Sequence, residues 1–358
     1  MNGYDVLIVG AGMAGLMAAR ALAVAGKRVR VFDKGRSVGG RMATRRVGAG
    51  LADHGAQFFT VREPAFAAFV ERWKSDGLVY EWSRGWSDGS TARPADPDLY
   101  EDGHPRYAVR GGMNALTQQL EHEAAQAGAV ISVNVTLGAV RPLPGGGWQA
   151  DGVHNADAAT GEPNAGVVVE RGDALVLTPP VPQSLKLLAS GGGVLADAER
   201  LALEAVQYEP CVVLMLRLEG GHRLPYPGAL QRPGAPLAWI ADNTAKGIAG
   251  EAPAHGERLL TVHAGPDYSR KWYDQPDEDV VRAFRVDLEP YLEPGARIVE
   301  TQVKRWRYSQ PSTLVAERAL VADAGEGARV VFAGDAFGGP RVEGAALSGL
   351  AAAAALGA

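Results

Sequence analysis

Asp5-Val6-Leu7-Ile8-Val9-Gly10-Ala11-Gly12-Met13-Ala14-Gly15 is the stretch on which the fold turns. Asp5 to Val9 is a short apolar run of strand length, read as a parallel strand buried on both faces. Ala14 to Ala25, rich in Ala, Leu and Met, reads as a helix ended by Gly26. Arg28 to Phe32 returns as a second strand and closes a βαβ unit within about 30 residues. In that setting Gly10 makes the tight turn, Gly12 lets the backbone approach phosphates, and Gly15 permits close helix packing. The helix start at Met13 and Ala14 offers free N–H groups and a positive dipole end to an anion. Asp33 ends the second strand where an acid can accept from a ribose hydroxyl, with Lys34 beside it. This predicts an ADP-containing cofactor and leaves NAD and FAD both open.

Outward from this unit, helices are expected at Pro64 to Lys74 and Gly111 to Gln126, and a strand at Val130 to Val135. Gly85 to Pro105 reads as loop, and Pro142 to Asn164 as hairpins around Trp148. Asp173 to Thr178 is a further buried strand, stopped by Pro179 and Pro180. From Pro182 to about Asp323, strands (Val212 to Leu218, Leu237 to Ala241, Leu259 to Ala264) alternate with a helix (Asp277 to Leu292). Arg329 to Ala333 recovers the buried-strand pattern before a glycine-rich turn and a last helix. The expected fold class is α/β with an α+β substrate part. Residues 1–60, 105–181 and 324–358 form a discontinuous Rossmann-type cofactor domain, and residues 61–104 and 182–323 a mixed-sheet substrate domain.

A length of 358 residues suffices for two such domains, and 46% apolar with 22% charged residues is a globular composition. A net charge of −5 with no long basic block argues against nucleic acid. The run Arg41 to Arg46 reads as lining for an anionic cofactor or as solvated surface. The one cysteine, Cys211, sits in an apolar run and reads as a buried thiol. It rules out an intrachain disulfide, a redox pair and a thiolate metal cluster, and no metal is expected. No segment reaches the roughly 18 apolar residues of a membrane span. The N-terminal stretch lacks a basic n-region and is a strand-turn-helix, so the expected location is cytoplasmic.

Three further segments choose between the cofactors. Gly39-Gly40-Arg41-Met42 follows the second strand, where Arg41 can pair bidentately with pyrophosphate. Phe332-Ala333-Gly334-Asp335 closes a strand, and Val342-Glu343-Gly344-Ala345-Ala346 opens the last helix. This arrangement resembles the FAD-binding pattern of the flavin amine oxidase superfamily. The resemblance implies noncovalent FAD, with Gly40 and Arg41 on one half and Gly334 and Asp335 at the ribityl or pyrophosphate region. The helix start at Val342, Glu343, Ala345 and Ala346 would point at the flavin N1 and C2 carbonyl. A positive end there favours an anionic reduced flavin. Val135 takes the place where the superfamily's backbone meets adenine.

Beyond those motifs, Gly39 to Arg46 followed by Asp53-His54-Gly55-Ala56-Gln57-Phe58-Phe59-Thr60 resembles the early signature of the renalases and their bacterial relatives. Val109 to Met113, Trp239 to Asn243, Val262-His263, Arg305 to Gln310 and Gly334 to Phe337 match as well, so the resemblance spans nearly the whole chain. It implies an FAD domain of the hydroxybenzoate-hydroxylase type and contacts to the cofactor from Gly55, Ala56, Gln57 and Phe58. It also implies oxidation of 2- or 6-dihydro isomers of NAD(P)H. Hydride passes to flavin N5, NAD(P)+ leaves, and O2 reoxidises the flavin to give H2O2.

For the substrate side, Trp239, Ala241 and Asn243 alternate onto one face of their strand, opposite Ile240 and Asp242. Asn243 and His263 are expected to hydrogen-bond a carboxamide and Trp306 to wall the substrate ring, with Trp239 nearby. The plain alternatives are a histidine satisfied in the core and tryptophans that only pack. His54 and Gln57 are expected near the flavin. Arg106 and Arg110 are either phosphate ligands or surface charges. The rival enzyme is a flavin amine oxidase acting on a small amine; the turn from Gly334 to Gly344 has no Cys, which excludes covalent attachment through one there. A carotenoid or porphyrinogen dehydrogenase would need a wide apolar channel, which is not located. The rival of another class is a non-redox binding protein of the GDP-dissociation-inhibitor type.

Overall fold

A run of apolar residues with no polar alternation can be buried only between two layers, and the sheet around Tyr4–Val9 shows why. Val6, Leu7 and Ile8 are at most 2% exposed, as a strand covered on both faces requires. The computed structural model describes residues 3–86, 104–156, 166–248 and 256–358. Most of the loop expected at Gly85 to Pro105, and the end of the hairpin region near Asn164, lie outside the described residues. The chain divides into two compact units.

The first unit comprises residues 1–40, 117–207 and 311–358. Strands Leu320–Asp323, Arg329–Phe332, Val167–Leu177, Tyr4–Val9, Val29–Phe32 and Val130–Ser132 lie side by side in that order. From Arg329–Phe332 to Val130–Ser132 all neighbours are parallel. Val9 pairs with both Phe32 and Leu177, so the carboxyl ends of the central strands stand level. The crevice outside such ends is where open α/β sheets bind ligands. Val167–Leu177 is longer than the strand expected from Asp173. Its first half pairs antiparallel with Trp148–His154, which in turn pairs with Val135–Pro142. The single strand expected from Val130 to Val135 is thus two, broken where Asn134 adopts a positive φ of 59°.

The second unit comprises residues 41–116 and 208–310. Its five-stranded sheet runs Ala229–Gln231, Leu237–Asp242, Glu257–Ala264, Tyr208–Glu219, Arg297–Pro311. Alternation along Tyr208–Glu219 builds two cores. Val212, Leu214, Leu216 and Leu218 pack with Leu260, Val262 and the Phe284 face of the helix Asp277–Leu288. Met215, on the other face, packs with Leu259 and with Val47 and Ala52 of the hairpin Thr44–Val47/Gly50–Asp53.

These units fall elsewhere than the expected domain boundaries. Residues 41–60 lie in the second unit because the Thr44–Asp53 hairpin buries Val47 and Ala52 there, and residues 105–116 lie in it because Arg106–Val109 pairs with Val79–Ser83. Residues 182–207 and 311–323 lie in the first. A Cβ on Gly191 would sit 1.8 Å from the Val140 oxygen, so the turn after the helix Val181–Ser190 is pressed onto that unit's hairpin. The Ser312 N–H also donates to the Gln207 oxygen at 2.9 Å.

Candidate active site

The glycine turn of the first unit is shaped by clashes that any side chain would cause. Gly10 has φ +96°, and a Cβ on Gly15 would lie 1.9 Å from the Gly10 oxygen. Around Gly12 the nearest atom to such a Cβ, Gly39 O, is 4.0 Å away, so that position is open. Gly12 caps the helix Met13–Val24 with no side-chain hydrogen bond, and the first turn holds no acid. Unpaired N–H groups, a positive helix end and open space together fit the pyrophosphate of a dinucleotide. Asp33 is built into this turn: its carboxylate accepts from the Ala11 N–H at 2.7 Å and the Gly35 N–H at 2.6 Å. Both oxygens keep lone pairs that a ribose hydroxyl can use. Lys34 is exposed, and its ammonium lies 3.4 Å from Gln183 Oε1.

Other expected contacts in this unit are modified by the structure. The Val135 N–H donates to the Asp33 oxygen at 2.9 Å, so it has no free donor for adenine. Gly334 has φ +136°, and its N–H donates to Ser348 Oγ at 2.8 Å. Asp335 is partly exposed at the same turn. The helix Val342–Ala355 also lacks a side-chain cap, but Glu343 sits in its first turn at 4% exposure. That acid offsets part of the positive helix end expected at Val342, Ala345 and Ala346.

In the second unit, Arg41 reaches the Tyr308 and Ser309 oxygens at 3.3 and 3.4 Å, with its guanidinium 5.9 Å from the Tyr208 ring. Gly55 is required beneath it, since a Cβ there would meet the Arg41 oxygen at 1.9 Å. Ala56 donates its N–H to that same oxygen at 2.8 Å.

The chain then enters a buried polar cluster. Asp53 and Lys246, both with fully covered side chains, form an ion pair at 2.6 Å. Asp53 Oδ1 also accepts from Thr44 Oγ1 and, at 2.8 Å, from the Met113 N–H. The Asp53 backbone is held too: its oxygen accepts from Gln57 Nε2 and Thr261 Oγ1, each at 2.8 Å. Lys246 donates in addition to the Gln57 oxygen and lies 4.9 Å from the Trp82 ring centroid. Burial pulls the Lys246 pKa down, and Asp53 opposes that shift. Removing one partner of such a pair leaves an uncompensated buried charge. Tyr80 donates its hydroxyl to the Lys246 oxygen, and burial pushes its pKa up to about 12.

Gln57 carries this order to the ring residues. Its Oε1 accepts from Trp239 Nε1 at 3.2 Å, and its Nε2 lies 3.4 Å from His263 Nε2. Trp239 and His263 are paired across adjacent strands. Trp239 also closes an aromatic cluster with Phe58, Trp82 and Trp86, with centroids 5.0 to 6.2 Å away. His54 stacks on Trp306 at 5.3 Å and 16°, and Trp306 Nε1 donates to the His54 oxygen at 2.8 Å. Burial lowers His54 to about 4, with Lys304 and Arg45 adding repulsion. Burial lowers His263 to about 3, with repulsion from His54 and Lys246. Both rings are therefore neutral at ordinary pH.

The structure brings Gln57, Phe58, Trp239 and His263 together and joins Trp306 to His54. It does not leave Asn243 available. That amide donates to the Leu259 oxygen at 3.2 Å and to Thr261 Oγ1 at 2.9 Å, and it accepts from the Asp53 N–H at 3.1 Å. With both hydrogens committed and no exposed surface, Asn243 braces the cluster rather than a ligand. Arg106 donates to the Arg84 and His104 oxygens at 2.8 and 2.7 Å, and Arg110 lies 5.0 Å over the Tyr80 ring. Sequence reasoning assigned no role to Lys246, Thr261, Trp82 or the Asp53 carboxylate. Lys246 lies in a polar turn, Thr244 to Gly247, that looks like ordinary surface, and no spacing rule flags it. Cys211 is buried as expected, its pKa raised to about 12 by burial.

Residues 8–73 match the family model of the NAD(P)-binding Rossmann-like domain, and residues 81–357 that of flavin containing amine oxidoreductases. A putrescine oxidase of Kocuria rosea is 40% identical over 67 residues, which is 19% of this chain and 14% of that oxidase. The chain thus aligns with a small part of that curated relative. Among solved structures, a putrescine oxidase bound to putrescine superposes with a TM-score of 0.67 at 15% identity, covering 98% of both chains. Cyclohexylamine oxidase from Brevibacterium oxydans IH-35A gives 0.67 at 14% identity, covering 99% of both. At that identity the likeness shows the fold: a Rossmann-like cofactor domain with an amine-oxidase-type partner.

Proposed function

The chain belongs to the flavin-containing amine oxidoreductase family and is an FAD-dependent oxidoreductase, and from that premise we propose that it oxidises 2- or 6-dihydro isomers of NAD(P)H. The balanced reaction is dihydronicotinamide isomer, O2 and a proton giving NAD(P)+ and H2O2. Bound FAD supplies the two-electron acceptor that takes the hydride and passes the electrons to O2. Residues that would hold it are Gly10 to Gly15, Asp33, Gly334, Asp335 and the start of the last helix in the first unit. Gly40, the last residue of that unit's first segment, would join them.

The observation that carries the substrate reading is the absence of a free carboxylate in the Gln57 cluster. Among the described residues, its one acid, Asp53, is committed to Lys246, Thr44 and Met113. What faces a ligand there is neutral imidazole and aromatic surface, with the Lys246 cation close behind. Such a lining suits a neutral dihydropyridine ring with a carboxamide and offers an ammonium no carboxylate counter-charge. His263 would bond the carboxamide, and the Trp239 and Trp306 rings would wall the substrate. The donor already carries a transferable hydride, so orientation supplies most of the rate effect. The renalase-like stretches Trp239 to Asn243, Val262-His263 and Arg305 to Gln310 contribute the residues named in this lining. A cytoplasmic setting, where nicotinamide dinucleotides occur, accompanies this reading.

An amine substrate is the second reading, favoured by the putrescine oxidase match. Oxygen uptake separates the two. The isomer should drive consumption of one O2 per NAD(P)+ formed, while putrescine and aromatic monoamines should drive none. Uptake with an amine and not with the isomer would reverse the order.

A further inference from the structure

The amide of Gln57 fixes where the proton of His263 sits. Trp239 Nε1 is a donor only, and it lies 3.2 Å from one terminal atom of Gln57, which must therefore be the oxygen. The other terminal atom faces two acceptors, the Asp53 oxygen at 2.8 Å and the Gly55 oxygen at 3.1 Å, and must be the NH2. Two independent constraints give the same orientation, so the amide cannot be flipped without setting donor against donor and oxygen against oxygen. That NH2 lies 3.4 Å from His263 Nε2. The NH2 has two hydrogens for three neighbours, so Nε2 shares one with a backbone oxygen, and a hydrogen on this ring nitrogen would set donor against donor. Nε2 therefore carries the lone pair, and the proton belongs on Nδ1.

We propose that Gln57 is a positioning residue that locks His263 as the neutral Nδ1–H tautomer, so that the ring presents a fixed hydrogen-bond donor to a substrate oxygen. The assignment of that oxygen to a carboxamide rests on the proposed substrate; the tautomer does not. The surrounding charges act in the same sense. Lys246 and His54 are the groups whose repulsion reaches His263, and the Asp53 carboxylate, which could have favoured an imidazolium, is turned to Lys246. His263 Nδ1 makes no hydrogen bond to the described residues, which leaves its proton for a ligand. A donor held this way would not change between pH 5 and 8. The Gln57 carboxamide connects residues 182 and 206 positions away in sequence.

The test is long-range proton–nitrogen NMR on the FAD-loaded enzyme with labelled histidine, the His263 signal being identified by its loss in His263→Asn. The expected spectrum shows a protonated Nδ1 and a bare Nε2, unchanged from pH 5 to 8. A His263 that carries its proton on Nε2, or that titrates near the ordinary value in that range, overturns the proposal. Gln57→Glu supplies the converse. A carboxylate accepts both from Trp239 and from an Nε2–H, so His263 should become titratable and its pKa should rise by at least two units. The rate of flavin reduction should then acquire a pH dependence that the wild type lacks. If that variant fails to fold, Gln57→Leu removes the NH2, and a mixture of tautomers should replace the single form. A single unchanged form in the folded Leu variant would count against the lock. These spectra need no substrate, so a locked tautomer in an enzyme inert to dihydronicotinamides would sink the substrate reading and leave the lock standing.

Discussion

The glycine turn of the first unit and the Gln57 cluster of the second solve opposite problems. The turn presents backbone N–H groups to an anion and has almost no side chains to place. Its requirements are local, met by residues 10 to 15 and by an acid that closes back on the Ala11 N–H. The cluster presents neutral side chains, and each is held by residues from distant parts of the chain. Asp53 is joined to Asn243, Lys246 and Thr261, and Gln57 to Trp239 and His263. A backbone motif can be written into six consecutive residues. A side-chain constellation exists only once strands have paired.

The comparison predicts where single changes do most harm. Gly15→Ala puts a methyl 1.9 Å from the Gly10 oxygen, and the turn must open. Losing two charge-assisted hydrogen bonds to the pyrophosphate costs about 3 kcal/mol, or about 100-fold in FAD affinity. The protein should purify without its absorbance near 450 nm, and titration with FAD should show the deficit. Retention of flavin at wild-type affinity would mean that the turn does not hold the pyrophosphate.

Lys246→Met strikes the cluster instead. It leaves Asp53 without its buried partner, and a loss of about 3–5 kcal/mol is expected in denaturant unfolding. The double variant Asp53→Asn with Lys246→Met should recover part of that loss, because no lone charge remains. If the single variant costs less than about 1 kcal/mol, the range of exposed ion pairs, the pair is not what organises the cluster.

This contrast also explains what the sequence disclosed. The βαβ unit and the final helix announce themselves by apolar runs and glycine spacing and lie within a few residues of their expected bounds, whereas the strand expected from Asp173 begins at Val167 and that from Val130 to Val135 is split. Gln57, Trp239 and His263 stood out through family resemblance and strand alternation. Asn243 was credited with ligand binding because alternation places it on the right face, but facing the cluster is not the same as having a free hydrogen. Lys246 was invisible for the opposite reason. A lysine in a turn normally points to water, and only the Asp53 carboxylate, 193 residues away, draws it inward.

A smaller effect is expected from Trp239→Phe. An aromatic ring is kept, but Gln57 loses one of the two contacts that orient its amide, so His263 should keep its tautomer and be held less firmly. Flavin reduction should slow by about 10-fold, the equivalent of one hydrogen bond of about 1.4 kcal/mol, while FAD content stays unchanged. A parallel fall in FAD content would place Trp239 in the cofactor's support.

The histidines give the mildest test, through pH. Their folded pKa values, about 4 for His54 and about 3 for His263, lie below the ordinary 6.5. The unfolded chain therefore binds protons that the folded one refuses, and stability falls as pH drops below about 6.5, by about 1.4 kcal/mol per unit for each such group. The fall should continue toward pH 4 and be shallower in His54→Phe. Thermal unfolding that is flat from pH 7 to 4.5 would contradict neutral burial of these rings.

If the neutral cluster serves a dihydronicotinamide, that donor must reduce the bound flavin. Anaerobic rapid mixing of the FAD-loaded enzyme with a 2- or 6-dihydro isomer of NAD(P), followed at 450 nm, tests it most directly. Complete bleaching within the first turnover and release of NAD(P)+ are expected, with no bleaching by putrescine or aromatic monoamines. Bleaching by an amine, with the isomer leaving the flavin oxidised, would contradict it.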